Sequence, residues 1–522
     1  MKKPTEMERM TQIKTIPFFH PLSRRMHVIV VLMIGCFCMA YTRSNLGMAI
    51  TCMVNSSSTA IKLQQTQPSI ATLALEREAL RCTNANLDKI NTTKEIPVNN
   101  YGGEIDWDSK TQNIIFTGTF WGSLLSALPA DRTSAINLLL FASLVLSLTS
   151  TLFPYFALNY NYYAVFILRF ITGIGEGLML PAVNSIIGRW IPNTEKSQAV
   201  SLFTLGAQMS GAVGVPISAS FCASRFRWPG IFYFLSIFIL VWALLLRLTT
   251  TNSPAKAKCM TRTERNYLEQ SLENHRPINK EPHTVPWRAM LTSMPVLACL
   301  FVSFTFNTLM VLIHSYQPTY FKEVLYLKMM DNGIYSSLPH IGQMSIKMVW
   351  ATGIDYLKQR KIVSNTAGCR ISQGFASVIA FFMLLLIAFV ADCTRPKLAL
   401  IFSGLGTATS GFYTSMVTLA PAHVGTLSSL SMLVGFIGML FTPMLVGMFR
   451  TYGTADEWFY IFVVISFLVG SSGIFFSYFG SGEVQEWGRR KTTVQGFINV
   501  KEDPLLKFEA KPDAVLIESA LE

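Results

Sequence analysis

The stretch Tyr162–Trp190 is apolar and long enough to cross a bilayer, yet it carries two charged residues, Arg169 and Glu176. A charge at membrane depth costs at least about 2.5–3.5 kcal/mol on insertion scales, so it needs a partner or a water-filled cavity. Seven residues separate the two charges, which places them two helical turns apart on one face. One interpretation is a structural ion pair that only fixes helix packing. The interpretation we favour is a charged site in a solute pathway.

Glycines accompany these charges on the same stretch. Gly173 lies between Arg169 and Glu176 on their face, and Gly177 follows. Small residues at such positions let the backbone of a neighbouring membrane helix come close. The stretch is therefore predicted to pack tightly against another helix.

The composition extends this prediction to the whole chain. Of the 522 residues, 51% are hydrophobic and only 14% are charged, whereas a soluble domain averages about 25% charged residues. The net charge of +13 would suggest nucleic acid in a soluble protein. Here the basic residues concentrate at the ends of apolar segments and in one central loop, where they act as topology signals. We therefore predict an all-α polytopic protein of the lipid bilayer, with no nucleic-acid partner.

The apolar segments divide the chain into two blocks of six predicted spans. A basic loop at 249–291 separates the two blocks, and the excess of Lys and Arg places both termini in the cytosol. No cleaved signal peptide is predicted, because the first apolar segment is too long for one. The predicted regions are a cytosolic tail at 1–26, the first half at 27–248, the cytosolic central loop at 249–291, the second half at 292–479 and a cytosolic tail at 480–522.

The first connecting loop, 54–110, is hydrophilic and is predicted to be extracellular or lumenal. It carries two glycosylation sequons, at Asn55 and Asn91. The nine cysteines lack the spacing of metal ligands, so no metal site is predicted. Cys52 and Cys82 fall in or at the edge of this loop, where a disulfide could join them.

Two further charges lie inside predicted spans. Arg43 is about 24 Å from the start of the first span, beyond the bilayer centre, and polar neighbours suggest that this side of the helix faces a cavity. Lys347 in the eighth span is interpreted either as a substrate contact or as a side chain that snorkels toward the cytosol. His314 in the seventh span is a weaker candidate, because a lone membrane histidine more often satisfies a hydrogen bond than relays protons.

Two six-span halves joined by a basic loop resemble the major facilitator superfamily, in which about twelve helices hold the solute between the halves near the midplane. Several motifs are similar to those of the sodium-phosphate and organic-anion symporter family, which includes sialin and the vesicular glutamate transporters. In the first half they are TRSNLGMAI, WDSKTQNIIFTGTFWGS and LRFITGIGEGLMLPA; in the second they are QPTYF, SSLPH, GIDYLKQRKI, GFY, TLAP and SGEVQEW. The resemblance extends from about residue 27 to about residue 487.

This resemblance implies roles for particular residues. The family's arginines of the first and fourth spans, associated with the anionic substrate, match Arg43 and Arg169. Its fourth-span acid, associated with proton coupling, matches Glu176. Conformational gating is expected at the inner loops of the two halves, where the matching residues are Asp131, Arg132, Asp355, Lys358 and Arg360.

Several departures separate the chain from the vesicular glutamate transporters. Their second-span histidine is matched by Phe116, and their seventh-span arginine has no counterpart near Phe306. The Asn-His-Leu-Asp that precedes their tenth-span Ala-Pro is replaced by residues within 413–418. These differences argue against vesicular glutamate transport, and Lys347 indicates a repositioned cationic charge.

The loop between the second and third spans also departs from the superfamily pattern. Of the usual Gly-x-x-x-Asp-Arg-x-Gly-Arg/Lys motif, only a segment with Asp131 and Arg132 is retained. An altered exon boundary would explain the shortening, and so would a chain whose rocking motion is impaired. Both explanations stay open at the level of sequence.

The function predicted from these features is secondary active transport of a small organic anion or inorganic phosphate by alternating access. A Gly-rich ATP loop is absent, so the energy is expected from an ion gradient, H+ or Na+, or from the membrane potential, with no cofactor. The alternative is a non-transporting receptor or trafficking partner on a degenerate transporter scaffold. An enzyme is not expected, because no HExxH, nucleophile elbow or intramembrane carboxylate pair occurs. The chain is expected to be a monomer in the plasma membrane or in a vesicular or lysosomal membrane.

Overall fold

A computed structural model of the chain describes residues 17–21, 23–58, 99–126, 134–192, 195–257, 260–273, 285–391, 393, 395–398, 401, 415–416, 419–420 and 423–488. Regular structure in these ranges is helical, as the long apolar runs predict. In a bilayer every backbone polar group needs an internal partner, and a helix supplies one within the segment. The side chains of Lys347 and Asp355 lie outside the description, although both residues belong to a described helix.

The first half of the chain forms six long helices that pack as one bundle. Helix α4 packs against α2 and α3, and α1 packs against α5 and α6. These helices are α1 (Arg24–Met53), α2 (Ser109–Ser126), α3 (Ala135–Asn159), α4 (Tyr162–Trp190), α5 (Lys196–Met209, a π-helical turn at Ser210–Gly214, then Val215–Ala223) and α6 (Pro229–Thr249).

The second half follows a short helical linker and has the same kind of packing. Its first long helix, α9, packs against α12 and α13, and α11 packs against α13. The linker contains α7 (Arg262–Glu273) and α8 (Trp287–Thr292). The helices of the second half are α9 (Met294–Val311, a π-helical turn at Leu312–Tyr316, then Gln317–Glu323), α10 (Met329–Gln359), α11 (Asn365–Val390), α12 (Val424–Phe449) and α13 (Ala455–Phe479).

Nine of the described helical segments are long and apolar enough to cross a membrane. Two further long helices, α2 and α10, correspond to the second and eighth predicted spans. Both are more polar: α2 begins with Ser-Lys-Thr-Gln-Asn, and α10 carries charged residues near both ends. The predicted tenth span, 398–419, lies almost entirely outside the described residues. The all-helical, multi-span architecture expected from the sequence is confirmed.

Glycines allow α2 and α4 to approach closely. A Cβ atom at Gly173 would overlap the backbone carbonyl of Thr119, and one at Gly122 would overlap the carbonyl of Phe170. Only hydrogen fits at these points, so the two helix backbones are in direct contact. The close packing predicted at Gly173 is thus present.

The two halves are joined on the side of the bundle where α1 ends, which we call the loop side; the opposite side, where α1 begins, is the terminal side. Lys322 of α9 donates a 2.7 Å hydrogen bond to the carbonyl oxygen of Thr51. Tyr316 donates a 2.7 Å hydrogen bond to Asn113 of α2. Other hydrogen bonds that link the halves lie on the loop side and, at Arg43, near the middle of the bundle.

A disulfide bond joins Cys52, at the end of α1, to Cys222, at the end of α5, with 6.1 Å between their Cα atoms. The suggested pairing of Cys52 with Cys82 is therefore wrong. Helices α1 and α5 pack side by side and both end on the loop side, which brings the two cysteines together. The partner was missed because only the cysteines in or at the edge of the first loop were considered, and Cys222 lies far along the chain, beside the fifth apolar segment.

On the terminal side the linker helix α7 is attached to the first half. The carboxylate of Glu264 accepts hydrogen bonds from the backbone N–H groups of Arg24 and Arg25 at 3.0 and 3.2 Å, and from the Arg25 guanidinium at 3.1 Å. Arg25 is fully buried and also pairs with Glu195. Glu264 thus caps the N-terminus of α1 from 239 residues away in the chain.

Candidate functional site

Arg43 and Glu176 form an ion pair between α1 and α4, with 2.5 Å between Nε of Arg43 and Oε2 of Glu176. The Glu176 side chain is fully buried, whereas 22% of the Arg43 side chain is exposed. The sequence paired Glu176 with Arg169 as one interpretation, but in the structure its ion-pair partner is Arg43. Because Arg43 is partly accessible and near the middle of the bundle, a solute could reach it.

Arg169 lies in the same region but has a different environment. Its two terminal nitrogens each lie 3.4 Å from the carbonyl oxygen of Thr42, and its guanidinium carbon is 6.0 Å from the ring centre of Phe153. Among the described residues, its Nε has no hydrogen-bond partner, and neither has Oε1 of Glu176. Two buried charged groups therefore retain unused hydrogen-bonding capacity, which is costly unless water or a ligand supplies the missing bond.

The second half contributes a pair of histidines opposite Arg43. The rings of His314 in α9 and His340 in α10 have their centres 4.3 Å apart. His340 is only 2% exposed, and its Nδ1 has no hydrogen-bond partner among the described residues. His314 is half-buried, and the positive charge of Arg43 acts on it electrostatically. Arg43 also reaches across the interface to the sulfur of Met439, 3.8 Å from its Nη1.

Two of the helices that meet at the histidine pair, α5 and α9, contain a π-helical turn. His314 itself belongs to the turn Leu312–Tyr316, and Gly211 belongs to the turn Ser210–Gly214. A Cβ atom at Gly211 would overlap the ring of His340, so α5 of the first half lies directly on that ring. Such wide turns inside α-helices occur frequently at functional sites.

The remaining predicted site residues are elsewhere or outside the description. Lys347 lies on α10, seven residues beyond His340, and Asp355 lies near the end of the same helix. The Lys358 side chain extends toward Gly368, and the Arg360 guanidinium carbon lies 4.5 Å from the ring centre of Tyr356. These two side chains therefore contact their own half of the protein. The predicted gating residues Asp131 and Arg132 lie outside the described residues.

One of the two predicted glycosylation sites, Asn55, lies on the loop side. Asn55 follows α1 directly, and its Oδ1 accepts hydrogen bonds from the Ser58 N–H and the Asn100 side chain at 3.2 and 3.0 Å. Asn91 lies outside the described residues.

Sequence reasoning missed part of this site. His340 was quoted only within the motif SSLPH, and Gly211 was not proposed as a site residue. Gln317, whose buried amide atoms have no hydrogen-bond partner among the described residues, was quoted only within the motif QPTYF. The available signal was that polar residues interrupt apolar helices. The sequence could not show that these residues meet at one place, because this depends on how four helices pack.

Two halves of long apolar helices, with charged and imidazole groups between them at mid-depth, define a membrane transporter of small solutes. Residues 32–443 match the Major Facilitator Superfamily. The chain is 40% identical over 503 residues to the "Uncharacterized transporter slc-17.3" of Caenorhabditis elegans, covering 91% of each chain. It is 28% identical to vesicular glutamate transporter 3 of Danio rerio, covering 79% of this chain and 71% of that one. The chain therefore belongs to the Major Facilitator Superfamily and, within it, to the sodium-phosphate and organic-anion symporter family.

Solved structures support the same fold. A crystal structure of the peptide transporter POT in complex with sulfate matches with a TM-score of 0.58 and 13% identity, over 90% of this chain and 97% of that one. At this identity the likeness concerns the fold alone. Together with the family membership it makes the chain a multi-pass secondary active transporter. The receptor alternative is not favoured by these relationships.

Proposed function

We propose that this transporter carries a small organic anion or inorganic phosphate, and that Arg43 and Arg169 neutralise the charge of the solute. The ion pair between Arg43 and Glu176 is the main support for the proposal. The Arg43 side chain is partly accessible at mid-depth, so a solute anion could replace Glu176 as its counter-ion. Attraction between opposite charges is much stronger in a poorly solvated interior than in water. The name of the Danio rerio relative specifies an organic anion, which supports the same class.

Glu176 is the proposed proton-coupling group. When its carboxylate is ionised it occupies Arg43, so a substrate anion must compete with it. Uptake of a proton by Glu176 removes that competitor and leaves Arg43 free for the anion. Release of the proton restores the pair and helps to expel the anion, so the two events are linked.

Other features of the proposal come from the sequence. Lys347 would add a third cationic contact, from α10. Conformational gating would take place on the terminal side, at Asp131, Arg132, Asp355, Lys358 and Arg360. The termini would be cytosolic, and Asn55 and Asn91 would carry glycans on the extracellular or lumenal loop. The transporter would act as a monomer in the plasma membrane or a vesicular or lysosomal membrane, without nucleic acid, catalytic chemistry or a cofactor.

Several substrates fit this class, and the departures from the vesicular glutamate transporters argue against glutamate. Phe116, which stands where they have a histidine, packs in the structure against Tyr316 with 4.8 Å between ring centres. This position is therefore filled by an aromatic contact between the halves rather than by a titratable group.

We propose that the coupling ion is H+, with Na+ as the alternative.

The experiment that tests the proposal is uptake into vesicles that contain the full chain. Labelled phosphate, urate, sialic acid, glutamate and aspartate are offered while proton, sodium and voltage gradients are imposed separately. We expect saturable uptake of one anion, lost in Arg169→Ala. If a folded, correctly inserted protein takes up none of the five, the proposal is overturned in favour of the receptor alternative.

A further inference from the structure

Four helices meet around the rings of His314 and His340. The two histidines come from α9 and α10, and Gly211 of α5 lies on the ring of His340. On the α1 side, a Cβ atom at Gly47 would overlap the backbone of Ser315, the residue next to His314. Gly47 is one helical turn from Arg43. The histidine pair therefore lies at the interface of the halves, close to the cation of the ion pair described above.

The two glycines show that this arrangement is specific. At both Gly47 and Gly211 any side chain would overlap the facing atoms, so backbone and ring touch directly across the interface. Both π-helical turns contribute to this contact, since Gly211 belongs to one and His314 to the other. The close approaches hold the imidazoles at the interface beside α1, and Nδ1 of His340 has no hydrogen-bond partner among the described residues.

The chemistry of this group depends on its charge. Two imidazoles in contact beside an arginine repel an added proton strongly, because three positive groups would be close together. An anion between Arg43 and the pair reverses this, since an opposite charge within about 4–6 Å favours the charged form of a histidine. A proton and an anion should therefore assist each other at this place.

We propose that His314 and His340 form a proton-dependent anion contact of the second half, which becomes cationic only when the transported anion occupies the space beside Arg43. This inference rests on the proposed function and deepens it. The first half would hold the anion with the permanent cations Arg43 and Arg169, and the second half would supply, besides Lys347, a cation that is created by proton binding. A relative with a permanent arginine in the seventh span would lack this dependence.

The other titratable groups near the pair are few among the described residues. Helix α1 presents Arg43, and α4 presents Glu176 and Arg169, which interact with it. The α5 turn Ser210–Gly214 has no titratable residue, and the Tyr316 hydroxyl of α9 is directed to Asn113. Protonation is therefore controlled by the balance of Arg43 and Glu176 on one side and the bound anion on the other.

The consequence is that anion binding raises the proton affinity of the pair and proton binding raises the anion affinity to the same extent. Anion binding should become tighter as the pH falls from 8 to 6, and the share of this dependence that comes from the pair should be lost when one of its rings is removed. The coupling between two such ligands typically changes affinity about 5- to 150-fold. Histidine suits this role because its ordinary titration falls within this range.

The test measures the KM of saturable uptake at pH 6 and pH 8 in vesicles that contain the full chain. The probes are labelled phosphate, urate, sialic acid, glutamate and aspartate, and each variant is compared with the wild type. His314→Asn and His340→Asn remove the pair one ring at a time, and His314→Asn concerns the less buried ring. The matched control is His27→Gln, which changes an exposed histidine of α1 far from the pair.

We expect the wild type and His27→Gln to bind the anion at least about 5-fold more tightly at pH 6 than at pH 8. In His314→Asn, uptake should persist, while the ratio of the KM at pH 8 to the KM at pH 6 should fall to the part contributed by Glu176 and by the titration of the anion itself. A wild-type ratio retained in His314→Asn would overturn the inference and leave the proposed function intact. Absence of saturable uptake of all five anions by the wild type would overturn both.

Discussion

Lys322 of α9 donates a 2.7 Å hydrogen bond to the carbonyl oxygen of Thr51 at the end of α1, which joins the two halves of the transporter. Its ammonium is almost fully buried and lies 5.0 Å from the ring centre of Tyr101. Tyr101 in turn donates a hydrogen bond to the carbonyl of Leu327, and burial raises the pKa of this phenol to about 12. The phenol therefore stays protonated and able to donate at every physiological pH.

The contact between Lys322 and Thr51 predicts the effect of a neutral replacement. Lys322→Met keeps most of the aliphatic stem but loses a hydrogen bond from a charged donor, worth about 1.5–3 kcal/mol. A difference of 1.4 kcal/mol changes an equilibrium constant tenfold. The ratio of molecules whose halves are separated on the loop side to molecules whose halves are joined there should therefore rise about 10- to 150-fold. Distances between spin labels on the loop-side ends of α1 and α10 would show this. Lys328 is an exposed lysine nearby, so Lys328→Met should leave the distances unchanged. If the distances in Lys322→Met equal those in the wild type, the hydrogen bond between Lys322 and Thr51 does not hold the two halves together on the loop side.

Glu264 is predicted to be essential for stability because it compensates buried Arg25. Glu264→Gln leaves Arg25 with Glu195 as its described ion-pair partner and weakens the cap of α1. Removing one partner of a buried ion pair costs about 3–5 kcal/mol. Thermal unfolding of the purified protein should shift to a clearly lower temperature. Glu269→Gln, on an exposed position of the same helix, is the control and should have almost no effect.

Gly173 is predicted to tolerate no side chain at the contact between α2 and α4. Gly173→Ala places a methyl group against the Thr119 carbonyl and should cost about 1–3 kcal/mol. Gly188 lies on the same helix, with open space where a Cβ atom would be. Gly188→Ala should therefore leave the stability unchanged or raise it by up to about 1 kcal/mol. Unfolding temperatures of the two variants should therefore move apart. Equal effects of both substitutions would contradict the close backbone contact.

The disulfide between Cys52 and Cys222 predicts a loss of stability when both cysteines are replaced. A closed loop of this length restricts the unfolded chain, and such bonds typically contribute about 2–4 kcal/mol. The double variant Cys52→Ser and Cys222→Ser should unfold at a lower temperature than the wild type. Peptide mapping of the non-reduced protein should recover the two cysteines in one linked fragment. Recovery of either as a free thiol would refute the pairing.

The architecture was predictable because length and polarity alone limit what a membrane-spanning segment can be. The apolar run of α4 could only be a helix, and its two charges identified it as special because buried charges are costly. The glycines between them correctly indicated a close helix contact. The basic loop at 249–291 was predicted to separate the two sets of helices because its Lys and Arg residues act as topology signals.

The partners of these residues could not be predicted in the same way. Whether Glu176 meets Arg169 or Arg43 depends on how α1 and α4 are rotated about their axes, which no local pattern determines. The contact of His340 with Gly211 depends on the packing of α5 against α10. The partner of Cys52 depends on α5 returning to the loop side beside α1, which requires the whole topology.

The central claim is that Glu176 couples proton movement to the anion held by Arg43, and the number of protons carried per anion tests it most directly. This number can be obtained from the proton gradient that just balances a known anion gradient in vesicles containing the full chain. In Glu176→Gln the carboxylate can no longer bind a proton, so we predict one proton fewer per anion than in the wild type, with anion exchange retained. An unchanged number in a variant that still exchanges the anion would contradict the account.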